Sequence, residues 1–264
     1  MFYFYGKHIT ELGGTTFNYL SQTSNTTASF STTFQMPGMS SDQVYDAVQP
    51  LFDSLNGIGI PVPAVNPVPS VLWAPSQKQG TGDVPGNSLF SSRLFPRVNW
   101  ENETLWNETM AAIRETVEAG YTFHGIHMSP TAKIAGYPGN NAVNPAFRTG
   151  LMHADSFNSL MIRGASAQKF KDSYARHNSY MNKIRAVTPT GGAYINEADV
   201  TEPNWQQSFF GDNYPRLLRI KKETDPWGVF WAPSTPGSEA WEVRTADGLP
   251  TQNGPLCKTG RLRS

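Results

Sequence analysis

The chain has 264 residues, and its 21 basic and 21 acidic side chains balance, so it carries no electrostatic footprint for nucleic acid or an anionic membrane. Aromatic residues make up 12% and prolines number 20, which fits a loop-rich, aromatic-lined globular protein of one large domain or two small ones. No apolar run approaches the roughly 20 residues of a membrane span, and the single cysteine, Cys257, leaves no internal disulfide framework.

Residues 1–28 start aromatic and turn Ser/Thr/Asn-rich (SQTSNTTAS), which reads as a lead-in segment or surface loop with little fixed order. Residues 29–35 (SFSTTFQ) alternate as a strand. Residues 41–55 read as a helix with a Ser N-cap and a stripe of Val44, Ala47, Val48, Leu51, Phe52 and Leu55, with Pro50 on the outer face. Residues 57–71 are a proline-dense connection, and residues 76–91 a Gly/Ser/Pro-rich loop. From Ser92 the strand-then-helix pattern repeats. Residues 102–119 form the clearest helix, with Leu105, Met110, Ile113 and Val117 inward and Gly120 as its stop.

Residues 121–128 then alternate as a strand, with Tyr121, Phe123, Gly125 and His127 on one face and Thr122, His124, Ile126 and Met128 on the other. Residues 141–148 read as a loop and residues 152–162 as β-prone. Residues 166–187 form a long polar helix that keeps Phe170, Tyr174, His177, Met181, Ile184 and Val187 on one side and Lys169, Lys171, Arg176, Lys183 and Arg185 on a solvated face. Strand-rich regions each accompanied by a helix predict an α+β fold, a mostly antiparallel sheet with helices on one face.

Residues 191–241 read as a unit of strand, loop, helix and stop. Tyr194 and Asn196 share one face of the short strand, Ala193, Ile195 and Glu197 the other; residues 213–222 place Tyr214, Leu217, Leu218 and Lys221 at helical spacing, and Asp225-Pro226 ends the helix. The order Y-x-N-E-A-D, then W-Q-x-x-F-F-G-x-N-Y-x-R-L-x-x-I-K, then D-P-x-x-x-F resembles the C-terminal segment of the berberine-bridge-enzyme-like FAD-linked oxidases, flavoenzymes of the vanillyl-alcohol-oxidase (VAO) type. SRLFPR (residues 92–97), GYTFHGIHMSP (120–130) and NAVNPAFR (141–148) are similar to the substrate domain of secreted fungal members, so the resemblance runs from about Ser29 onward.

The resemblance implies a substrate-binding domain over residues 29–190 and a berberine-like segment over residues 191–264 that packs on a flavin domain. It implies FAD as cofactor and oxidation of an alcohol, sugar or alkaloid-like small molecule by hydride transfer to flavin, with oxygen as acceptor. The family's N-terminal flavin-binding domain has no counterpart here. The glycines at Gly13-Gly14, Gly57-Ile58-Gly59 and Gly191-Gly192 do not form a dinucleotide-binding loop. The expectation is therefore a fragment that lacks its flavin domain, the alternative being a truncated product or a small-molecule or partner-binding domain without flavin.

By the same resemblance Tyr194 is the candidate base beside the flavin, and Tyr194 and Asn196 hold the cofactor. Weaker candidates are Tyr121, His124 and His127 as pocket lining, and His153 with Asp155, which an i, i+2 spacing on a strand would put on one face. Glu197 and Asp199 read as turn residues. No metal site is expected, because His124 and His127 fall on opposite faces. The sequons at Asn25, Asn102 and Asn107 are candidate glycosylation sites. Family resemblance suggests secretion, while residues 1–5 (MFYFY) lack the features of a signal peptide.

Overall fold

The computed structural model describes residues 1–69, 89–135, 141–158, 165–249 and 254–259. Most of the loop expected at 76–91, and the last residues of the β-prone stretch 152–162, lie outside these. In chain order the elements are α1 (Phe2–Glu11), β1 (Thr15–Gln22), β2 (Ala28–Gln35), α2 (Ser41–Gly57), β3 (Leu89–Pro96), α3 (Val98–Glu101), α4 (Glu103–Glu118), β4 (Thr122–His127), α5 (Ala132–Ala135), α6 (Ala146–Thr149), β5 (Gly150–Asn158), α7 (Ala167–Val187), α8 (Trp205–Phe210), α9 (Tyr214–Thr224), β6 (Trp241–Val243) and β7 (Leu256–Lys258). The first five strands make one antiparallel sheet in the order β2-β1-β4-β5-β3, and β6 and β7 pair separately. The α+β architecture is the one expected from the sequence.

The helices form where their caps and stripes allow. Ser40, one residue before the serine read as opening α2, caps it reciprocally with Gln43. Asn102 caps α4 by accepting from the Leu105 N–H at 3.0 Å, and Ser166 caps α7. One face of the sheet is covered by α1, α4 and α7. Phe123, Met152, Ala154 and Phe95 meet Ile113, Val117, Met181 and Ile184 there, in a single apolar core.

Residues 1–28 are not a loosely ordered lead-in. The aromatic start is the buried stripe of α1, with Phe2, Tyr3, Gly6, Ile9 and Thr10 facing inward. The Ser/Thr/Asn-rich stretch supplies β1 and the turn into β2, where Thr23 and Ser24 both donate backbone N–H to Thr27 O. Polarity misled the reading, because β1 buries small polar side chains that find partners: Asn18 donates to Gly125 O, and Thr16 bonds the His127 ring. Gly6 lets α1 approach this point, since a Cβ there would lie 2.3 Å from the His127 ring.

His127 is fully buried, and its Nε2–H donates to Tyr3 O while Nδ1 accepts from the Thr16 hydroxyl. Burial pushes its pKa down to about 4. His177, stacked on Tyr121, is pushed down to about 4 by burial, with Arg185 and Arg176 adding to the effect. A third buried cluster joins the sheet to the C-terminal half. Glu202 accepts from Arg185 at 2.5 Å and lies 3.6 Å from Arg93, whose guanidinium also donates to the hydroxyl and carbonyl of Thr188. Side-chain exposures of 1% for Glu202 and 8% for Arg93 make this a desolvated network.

Both histidines are neutral when folded and take up a proton more readily when unfolded. Their contribution to stability is therefore intact above the ordinary histidine pKa and is lost as pH falls from about 6.5 towards 4. Thermal melts should show the midpoint dropping by several degrees across that window; a flat profile would contradict the assigned neutrality. Glu202→Gln should cost about 3–5 kcal/mol in denaturant unfolding, because it leaves two buried guanidinium groups without their counter-charge.

Candidate functional site

The other face of the sheet carries the chemistry. Cross-strand pairing aligns Ser31 of β2, Tyr19 of β1, His124 of β4, Asp155 of β5 and Ser92 of β3 in one row across all five strands. Each is the registered partner of the next, so all five side chains share a face. His124 Nδ1 lies 2.9 Å from Asp155 Oδ1, and the Tyr19 ring stacks on the His124 ring at 4.2 Å and 6°. One pleat along β5, His153 lies on the same face and places Nε2 at 2.6 Å from Glu197 Oε2.

Residues 193–197 do not form the expected strand. The chain passes beside β3, with Ser92 Oγ accepting the Tyr194 N–H at 3.1 Å and donating to Tyr194 O at 3.3 Å, and residues Ile195–Glu197 close a single 3-10 turn. The turn nevertheless brings Tyr194 and Asn196 together, since Asn196 Nδ2 donates to the Tyr194 phenol oxygen at 2.7 Å. It also swings Glu197, read as a plain turn residue, onto His153. Tyr194 is braced edge-on by Phe147 and His153. Behind it Ala193, Phe209 and Phe210 form a small core with Trp205, Tyr214 and Leu217, so α8 and α9 fix the turn from below.

Asp155 is 1% exposed, and burial raises its pKa against the opposing pull of His124. Glu197 is held below the usual carboxylate range, chiefly by its hydrogen bond with His153. Asp155 Oδ2 and His153 Nδ1 are buried with no hydrogen-bond partner among the described residues. One ligand atom each from His153, Asp155 and Glu197 lie within 4.8 Å of one another, near enough to share protons or to hold a cation. The sequence reading paired His124 with His127 in looking for ligands and so did not find this set.

Tyr121 and His127 do not join His124 in a pocket. Both face the helix layer, where Tyr121 accepts a hydrogen bond from Arg176 and His127 bridges α1 to β1. His153 and Asp155 share a face as expected but bond to Glu197 and His124 rather than to each other. Asn25 and Asn107 are exposed, and Asn102 spends its side chain on capping α4. Asp199 holds the turn at Thr201. Hollows of ≈ 320 and ≈ 310 Å³ sit around Trp231 and Trp241, and neither is lined by a residue of the polar row.

Residues 193–235, which include the Tyr194–Asn196–Glu197 turn, α8 and α9, match the family described as Berberine and berberine like. The VAO-type flavoprotein oxidase VAO615 of Thermothelomyces thermophilus is 32% identical over 238 residues, 88% of this chain and 40% of that protein. The crystal structure of the VAO-type flavoprotein MtVAO615 from Myceliophthora thermophila C1 superposes with a TM-score of 0.74 at 27% identity, covering 97% of this chain and 45% of that one. The chain belongs to the berberine-like, VAO-type flavoprotein family. An FAD-linked oxidoreductase of Aspergillus clavatus, patO, is 28% identical over 233 residues, covering 86% of this chain and 38% of the relative. The chain thus spans about two fifths of the length of the curated family members it matches.

A raised carboxyl pKa means that Asp155 binds its proton more tightly in the folded chain than in the unfolded one. Its contribution favours folding at low pH and is lost as pH rises through the folded value. Asp155→Asn should therefore melt at or above the wild-type temperature at pH 8 and lose that advantage at pH 4; a lower melting point at pH 8 would show that the carboxylate stabilises the fold.

Proposed function

We propose that this chain supplies the substrate-side face of an FAD-dependent oxidase that removes hydride from a C–H bond bearing a hydroxyl or amine, with oxygen as the final acceptor. The observation that carries the reading is the convergence of Tyr194–Asn196, His153–Glu197 and His124–Asp155 on the sheet face that α1, α4 and α7 leave uncovered. Homology to FAD-linked oxidoreductases supports the cofactor. The residues present fit such a group: a buried acceptor, Asp155 Oδ2, has no partner among the described residues, and the exposed Asn196 amide stands beside Tyr194 at the rim.

When bound, FAD supplies the hydride acceptor. The chain's own task is to hold the reacting group and take its proton. Asn196 donates to the phenol oxygen of Tyr194 and so holds that oxygen in place. Tyr194, as its phenolate, is the proton acceptor of the proposal. Asp155, oriented by His124, offers a second acceptor for the substrate hydroxyl, and Glu197, partly exposed, gives protons a way out to solvent through His153.

The exposed apolar run Trp227, Val229 and Phe230, at 84%, 73% and 80% exposure, supports the further proposal that the berberine-like segment packs on a flavin-binding domain. Exposure of Asn25 and Asn107 supports glycan attachment on a secreted protein, which mass spectrometry of the natural protein would test.

Retention of a flavin absorption band after the chain is incubated with FAD and free ligand removed tests cofactor binding. In the flavin-loaded protein Tyr194→Phe should lower peroxide-producing turnover by about 10²–10⁴-fold with flavin retention unchanged. Full turnover in that variant would remove Tyr194 from the chemistry.

A further inference from the structure

Two carboxylates and an imidazole meet on the face of the sheet that the helices leave open. His153 and Asp155 come from alternate positions of β5, and the turn at Ile195–Glu197 brings Glu197 to them, so that one donor atom from each lies within 4.8 Å of the others. The side chains of His153 and Asp155 are 3% and 1% exposed, while that of Glu197, at 38%, faces the open side. Hydrogen bonds do not exhaust these donors: Asp155 Oδ2 and His153 Nδ1 are shut off from solvent and have no partner among the described residues. Nor is the negative charge balanced. Charge on Glu197 disfavours charge on Asp155, and the groups acting in the opposite sense on the two carboxylates include His124 and His153, neither of them a permanent cation.

We propose that His153, Asp155 and Glu197 form a binding site for a divalent cation of the zinc class, with His124 orienting the Asp155 carboxylate from behind. The donors select the ion. An imidazole nitrogen with two carboxylates suits zinc or cobalt, whereas magnesium and calcium prefer oxygen throughout. Ligand atoms around a tetrahedral zinc stand about 3.4 Å apart, so His153 Nε2 and Glu197 Oε2, now at 2.6 Å, part slightly while the wider separations close. Glu197 is exposed and reaches the site on a flexible side chain, which supplies that adjustment. Asp155 Oδ2 gains the partner it lacks, and Oδ1 stays with His124. Three protein ligands leave a coordination position for water or an oxygen of a bound molecule. The ion displaces the proton shared by His153 and Glu197, so these side chains hold either the cation or a proton path, not both. The inference does not rest on the oxidase reading, since it needs only these side chains.

The test is calorimetric titration of the untagged full chain, stripped of metal with a chelator and then dialysed, with zinc chloride and separately with magnesium chloride. Zinc should bind at one ion per chain and magnesium should not compete with it. Asp155→Asn and Glu197→Gln should each weaken zinc binding by at least about 100-fold, and His124→Gln by about 10- to 100-fold, with the circular dichroism of the metal-free variants unchanged. His8→Gln, on α1, should bind zinc as the wild type does. A reading that needs no variant is nitrogen NMR of the wild-type chain, in which zinc should shift the ring resonances of His153 and leave those of the buried His127 and His177 in place. Zinc binding that survives both carboxylate substitutions puts the ion elsewhere and overturns the site. So do an unmoved His153 ring, a preference for magnesium, or no binding at all. None of these outcomes touches the oxidase reading, which flavin retention and Tyr194→Phe decide separately.

Discussion

Strand register is the constraint on which the site depends. The side chains of a strand alternate with a period of two, so a slip of one residue between β4 and β5 would turn Asp155 into the helix layer and bring Ala154 to the face now occupied by chemistry. The register is locked from the helix side. His127, Phe123, Met152 and Ala154 are buried against α1, α4 and α7, and none of them could exchange places with His124 or Asp155 without placing a titratable group in the apolar core. Packing on one face thus holds the hydrogen-bonded pairs on the other.

Local pattern carried most of the architecture into the sequence. The helix stripes of α2, α4 and α7, the alternation in β4 and the stop at Asp225-Pro226 are all short-range signals, and the structure follows them within a residue or two. Where the reading failed, the cause was long-range. The start of the chain looks like a loop because β1 is polar, and its buried Thr16 and Asn18 hydrogen-bond to β4, more than a hundred residues away. The Tyr194 segment alternates like a strand and passes the edge strand β3, but it is held there by the Leu94 N–H bond to Gly192 O and by the Ser92 hydroxyl rather than by a ladder of backbone pairs.

The candidate site was half legible for the same reason. Family resemblance located Tyr194 and Asn196, and strand periodicity placed His153 and Asp155 together. Nothing local joins His124 to Asp155, His153 to Glu197 or Tyr19 to either, because each link is a choice of partner strand or turn made at a distance. Glutamate in a tight turn and tyrosine near a polar hairpin are common, and only the assembled sheet distinguishes these two. Asp155 shows the desolvation cost that such assembly builds in: a carboxyl group that burial disfavours as a charge, kept where its second oxygen finds no partner among the described residues.

The contact between Ser92 and the Tyr194 backbone spans 102 positions of chain, and the pairing of Tyr19 with His124 spans 105. Segments so distant meet slowly, because loop-closure entropy opposes their encounter before any packing rewards it. A nascent chain can close the β1–β2 hairpin early, yet it has no Tyr194 to seat on Ser92 until 102 further positions have been added after that serine. Until then the apolar side of the sheet and the small core beneath α8 must wait incomplete, so this protein's exposure to misassembly is concentrated in the interval before the berberine-like segment arrives.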